Sequence, residues 1–94
     1  MDSIMQTEKA CFLCGSRQSG LEQHHIFGGT ANRKLSEKYG LKVWLCGELC
    51  HRNGKQAVHR NKEVALWLKT QGQKRFEEVY PDLDFIQIFG RNYL

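Results

Sequence analysis

Two pairs of cysteines bracket the middle of this chain: Cys11-Phe12-Leu13-Cys14, followed by Gly15, and Cys46-Gly47-Glu48-Leu49-Cys50, followed by His51. Nothing else in the sequence restricts the fold so tightly. Each pair is short enough to span a turn, and the two can converge on one tetrahedral ion with Zn–S bonds of about 2.3 Å. Gly15 is free to take the positive φ that such a turn often requires. A clasp of this kind would be architecture rather than catalysis, because four thiolates leave no open coordination position. Reactive or merely buried pairs are the alternative, since a free cysteine packs as a small apolar residue.

With 94 residues there is room for one domain with a thin core, which a structural zinc would help to hold. Residues 1–9 read as a flexible lead-in and 10–94 as the domain, with its core in 11–60 and a supporting helix and tail in 61–94. The opening stretch is polar, carries Asp2 and Glu8, and lacks the basic and apolar regions of a signal peptide. No apolar run approaches the ~20 residues that cross a bilayer. The expectation is a cytoplasmic protein without membrane contact, where reduced thiols favour metal over disulfides. Were the cysteines bridged, sequence could not choose the pairing. The balance of 14 Lys and Arg against 10 Asp and Glu, with a pI near 9.0, suits a phosphate-bearing partner.

Between the cysteine pairs lies Gln23-His24-His25-Ile26-Phe27-Gly28-Gly29. Leu21 to Phe27 reads as a short strand, which would send adjacent imidazoles to opposite faces. At a strand end that alternation relaxes, and the two could serve one site in different roles. Gly28 to Asn32 reads as a turn, and Arg33 to Tyr39 as a helical or irregular excursion closed by Gly40. Leu41 to Leu45 is the clearest strand. From Asn61, a plausible N-cap, a helix is expected to about Tyr80, with Val64, Ala65, Leu68, Phe76 and Val79 on its apolar face. Gly72 marks a kink or a close contact on that face, Pro81 stops the helix, and Asp84 to Phe89 suggests one further turn. Trp44 and Trp67 are expected in the core.

The chain has four histidines, His24, His25, His51 and His59. Three imidazoles with open positions would bind a divalent cation able to contact phosphate oxygens. A fourth could act as general base, since a histidine ordinarily titrates near neutral pH. Alternatives stand beside this: His51 as a ligand of the cysteine-bound ion, His59 as a plain exposed or capping residue, and His25 rather than His24 as the ligand.

Taken together, Cys-x-x-Cys-Gly, His-His-Ile, the Gly-Gly turn, Leu-Cys-x-x-x-Cys-His and a further histidine resemble the HNH endonucleases over roughly residues 11–60. The closing Phe89-Gly90-Arg91-Asn92-Tyr93 is similar to the ending of small phage proteins of that type. The resemblance implies an α+β, ββα-metal (treble-clef-like) finger with a structural zinc on Cys11, Cys14, Cys46 and Cys50, plus a C-terminal helix. It implies His25 as general base, and Mg²⁺, Mn²⁺ or another divalent ion on His24, His51 and His59. The implied reaction is hydrolysis of DNA, with RNA as the alternative substrate, in a bacterial host cell. Arg33, Lys34 and Arg52 are the first choices for phosphate contacts, among basic residues that also include Arg17, Lys38, Lys55 and Arg60. Such contacts position a nucleic acid without reading its bases. One departure stands out. The family's central Asn, which orients the base, is replaced by Tyr39, Gly40 and Leu41, so that a backbone carbonyl or Asn32 would have to serve. Two rival readings follow: a zinc-clamped binding module without turnover, and an interaction protein whose apolar tail from Phe85 to Leu94 docks a larger partner.

Overall fold

The computed structural model describes residues 2–47, 51, 54 and 57–94. Five elements follow in chain order: strand β1 (Leu21–His25), helix α1 (Thr30–Tyr39), strand β2 (Lys42–Cys46), helix α2 (Lys62–Val79) and the short helix α3 (Phe85–Phe89). It is a small α+β protein whose two strands form one antiparallel sheet, with Leu21 opposite Cys46, His24 opposite Val43 and His25 opposite Lys42. This register carries the chain from the first cysteine pair to the second. Among the described residues no helix is long and apolar enough to cross a membrane.

The excursion between the strands is a regular helix that begins at Thr30, so the expected turn is shorter than Gly28 to Asn32. It ends where Gly40 takes φ 74° and donates its N–H to the Ser36 carbonyl. A side chain at Gly40 would also collide with the Asp2 carbonyl oxygen. Asp2 is there because the opening segment, expected as a loose lead-in, runs along β2. Ile4 N–H donates to Gly40 O at 2.9 Å, Ser3 Oγ to Lys42 O at 2.6 Å, and Trp44 N–H to Gln6 Oε1 at 2.7 Å. Arg75 Nε on α2 donates to Ile4 O at 2.9 Å. Polar side chains that made the segment look solvated from sequence are spent on the unpaired edge of β2, where backbone groups need partners.

Helix α2 starts where Asn61 accepts from the N–H groups of Glu63 and Val64 at 3.0 and 3.2 Å, which satisfies two of the four orphan donors of its first turn. Its inner face is Leu68, Gly72, Gln73 and Phe76. Gly72 is a close contact rather than a kink: an added Cβ would lie 3.1–3.3 Å from the Phe27 ring and Ile26. Two expectations fail on the outer side. Val79 is 36 % exposed and Trp67 48 % exposed. Trp67 lies on the exposed side of the helix, with the Phe12 ring 6.4 Å from its own. Trp44 is half-buried, its ring under the Lys9 ammonium at 4.6 Å.

Beyond Pro81, the chain folds back. Phe85 and Phe89 stack on each other (4.5 Å, 20°) and both meet Phe27 and Phe76 at 4.8–5.9 Å. Tyr93 closes on Phe27 at 5.3 Å, while Tyr93 N–H donates to Gln73 Oε1 at 2.7 Å and Thr70 Oγ1 to Tyr93 O at 2.9 Å. Aromatic pairs in such offset and edge geometries add to what area burial alone contributes. The tail is thus part of this domain's own core, which removes the feature that suggested it docks a larger partner.

Candidate metal centres

The first cluster is built by the loop before β1 and the end of β2. Gly15 N–H closes the knuckle onto Cys11 O at 2.8 Å, and Phe12 N–H ties it to Trp44 O at 2.8 Å. The sulfur atoms of Cys11, Cys14 and Cys46 then lie within 4.8 Å of one another, with Cys14 and Cys46 Sγ 3.3 Å apart. Burial raises the Cys11 thiol, but donors from the Cys14, Cys46 and Leu13 backbones and from the Cys14 thiol outweigh it and bring the group down to about 6. Cys46 is pushed up to about 11, first by its hydrogen bond with Cys14, then by burial and by Cys11. Three sulfurs this close cannot all ionise unaided, and a bound cation removes that conflict. The donor set fits a metal that prefers thiolates. Cys50, expected as the fourth ligand, lies outside the described residues.

The second cluster gathers His24 from β1 with His51 and His59 from the segment after β2; their ligand nitrogens also lie within 4.8 Å of one another. His59 N–H donates to His51 O at 3.2 Å, and buried Ala57 and Val58 anchor the return of that segment. Ring centroids are 5.1 Å for His24–His51, 5.5 Å for His24–His59 and 4.5 Å for His51–His59. His51 Nδ1 meets Glu22 Oε1 at 2.8 Å, leaving its Nε2 2.9 Å from His59 Nε2. A carboxylate on one ring nitrogen fixes the tautomer that offers the other as a ligand. Burial, followed by the charges of His51 and His59, lowers His24 to about 4, and burial also lowers His59. His24 is therefore neutral at pH 7, the form that binds metal.

Two hollows adjoin this cluster and share His24, His25, Gly28 and His59 in their walls. One, of about 340 Å³, is completed by Gln23, Gly29, Arg33 and His51; the other, of about 190 Å³, by Ile26, Val58, Ala65 and Lys69. His25 ends β1 and lines both. Its Nε2 stands 3.7 Å from Glu37 Oε1, and the other oxygen of Glu37 is held by Lys42. Asn32 makes no hydrogen bond to His25 among the described residues.

Of the expected phosphate contacts, Arg33 is exposed and borders the larger hollow, whereas Lys34 is exposed on α1 and borders neither. Arg52 lies outside the described residues. Sequence reading missed Glu22, Glu37 and Lys69. Glu22 was legible in principle, since i and i+2 share a strand face with His24. For the other two, no local pattern marks a residue that reaches the site from a different element. Set against known proteins, the chain matches no protein-family model, no curated protein and no solved structure.

Proposed function

We propose that the chain is a metal-dependent endonuclease acting on DNA, on a ββα-metal frame of the kind HNH endonucleases use, with zinc at the cysteines. The observation that carries this is the meeting of His24, His51 and His59 around one point, with the Glu22 carboxylate behind His51 and His25 on the same open surface. A structural core histidine would be enclosed and satisfied. These imidazoles instead line two hollows that open to the surface.

The residues divide the work. His24, His51 and His59 would hold the ion, and Glu22 sets the ring orientation of His51. When bound, the ion supplies charge neutralisation at the scissile phosphate and at the departing 3′ oxygen. His25 accepts a proton from the attacking water as its oxygen bonds to phosphorus. The P–O3′ bond breaks, and the departing oxygen takes a proton from solvent water, leaving a 5′-phosphate and a 3′-hydroxyl. A positioned histidine base contributes roughly 10²–10⁴-fold. Because an all-imidazole set suits Zn²⁺, Ni²⁺ and their neighbours better than oxygen-seeking ions, another transition ion is preferred here to the Mg²⁺ or Mn²⁺ of the resemblance.

Supercoiled plasmid incubated with the protein and a panel of Mg²⁺, Mn²⁺, Ni²⁺ and Zn²⁺ tests the reading. Nicked or linear product is expected with at least one ion, and His25→Ala should lower the rate about 10²-fold or more. Equal inertness of wild type and His25→Ala with every ion would end it. The competing reading, a nucleic-acid-binding module without turnover, draws on one observation: Glu37 stands 3.7 Å from His25, long for a hydrogen bond, and among the described residues no other group is seen to orient the base. A metal titration that fills only the cysteine cluster would favour it.

A further inference from the structure

The two hollows share His24, His25 and His59 in their walls, and each is lined by one lysine or arginine side chain. Arg33 at the start of α1 borders the larger, and Lys69 on α2 borders the smaller. Neither has a carboxylate partner among the described residues, although Arg17, Lys42 and Arg75 are all paired with acidic groups. Lys69 is half-buried, and its ammonium is steadied over the Tyr93 ring at 5.7 Å. An aromatic face holds a cation in place without neutralising it.

A single small anion at the histidines would need at most one such group. Two unneutralised cations, one in each of two adjoining hollows, suit a polyanion that passes over both. We propose that α2 contributes to a track for a DNA backbone that passes over the histidine cluster, with Lys69 and Arg33 holding different phosphates of that backbone. The inference rests on the nuclease reading for the polarity of the track, while its test reads binding alone.

The probe is a fluorescein-labelled duplex of about 20 base pairs and, separately, one of its strands, titrated with the full chain carrying His25→Ala to prevent cleavage. Each lost phosphate contact reduces the slope of log K against log salt by about 0.9 for duplex and about 0.7 for single strand. Lys69→Gln should therefore flatten the slope by one such step, a roughly threefold smaller loss of affinity between about 50 and 200 mM salt. Arg33→Gln should give a second, independent step, and Lys69→Arg should keep the wild-type slope. Lys74→Gln removes the same charge from an exposed position of α2 that borders neither hollow, and should leave the slope unchanged. The arm that shows the step identifies duplex or single strand as the ligand. A slope unaffected by Lys69→Gln in both arms, or equally reduced by Lys74→Gln, overturns the proposal even if plasmid is cut. A specific step without plasmid cleavage upholds the track and rejects hydrolysis.

Discussion

Glu22 and His24 occupy one face of β1, yet they serve the histidine cluster in different ways. His24 offers a lone pair; Glu22 settles which nitrogen of His51 does so. Replacing Glu22 by Gln should keep the fold and lower divalent-ion affinity at the histidines about 10–100-fold, as losses of such supporting carboxylates do. Calorimetric titration with Zn²⁺ or Ni²⁺ checks this, with the cysteine cluster filled beforehand. His24 also makes stability depend on pH. The unfolded chain takes up a proton at this residue near 6.5, whereas the folded chain does so only near 4. Between those values the unfolded state binds more protons, so stability falls as pH drops through the window, by up to about 1.4 kcal/mol per pH unit. A bound cation at His24 acts in the same direction. Thermal melts should show a lower midpoint at pH 5 than at pH 7, and His24→Gln should shrink the difference. At this scale the candidate ligands were legible because cysteine and histidine announce metal chemistry by type and spacing. Glu37 and Lys69 were not, because a carboxylate or ammonium becomes part of a site only through tertiary placement.

Among the elements, α2 does two things at once. Its inner face buries Phe76 and Leu68 in the aromatic core, and its edge lends Ala65 and Lys69 to the smaller hollow. Gly72 sets how near the helix lies to the residues that follow the histidine pair. Gly72→Ala gains about 1 kcal/mol in helix propensity. It also presses a methyl group against Ile26 and Phe27, both fully buried, which must shift by a few tenths of an ångström to admit it. Overpacking of this kind costs about 1–3 kcal/mol, so the net expectation is a loss of about 1 kcal/mol, read as a lower urea midpoint. The helix itself was readable from the Asn61 cap and its apolar spacing. Its outward residues were not, because Val79 and Trp67 are apolar in type, and burial follows from direction on the helix rather than from type alone.

For the molecule as a whole, the sheet-and-knuckle half presents both clusters, and the C-terminal third packs against that half through Phe85, Phe89 and Tyr93 on Phe27. The two strands were legible in their residue pattern, and the convergence of Cys11, Cys14 and Cys46 in the spacing of the cysteines. The docking of the opening segment and the return of the tail did not, since both depend on edges and faces that exist only once the chain is folded. In a chain of 94 residues the core is thin, so removing metal from the cysteine cluster should lower the melting midpoint by well over 10 °C, with recovery on adding Zn²⁺. The claim on which the functional reading turns is that His24, His51 and His59 share one cation. Anomalous diffraction from crystals grown with Zn²⁺ or Ni²⁺ measures this directly. A peak at about 2.0–2.1 Å from a nitrogen of each of the three rings is expected, separate from the ion at the cysteines. Density at the cysteines alone, with the three imidazoles bound to nothing but water, would contradict it.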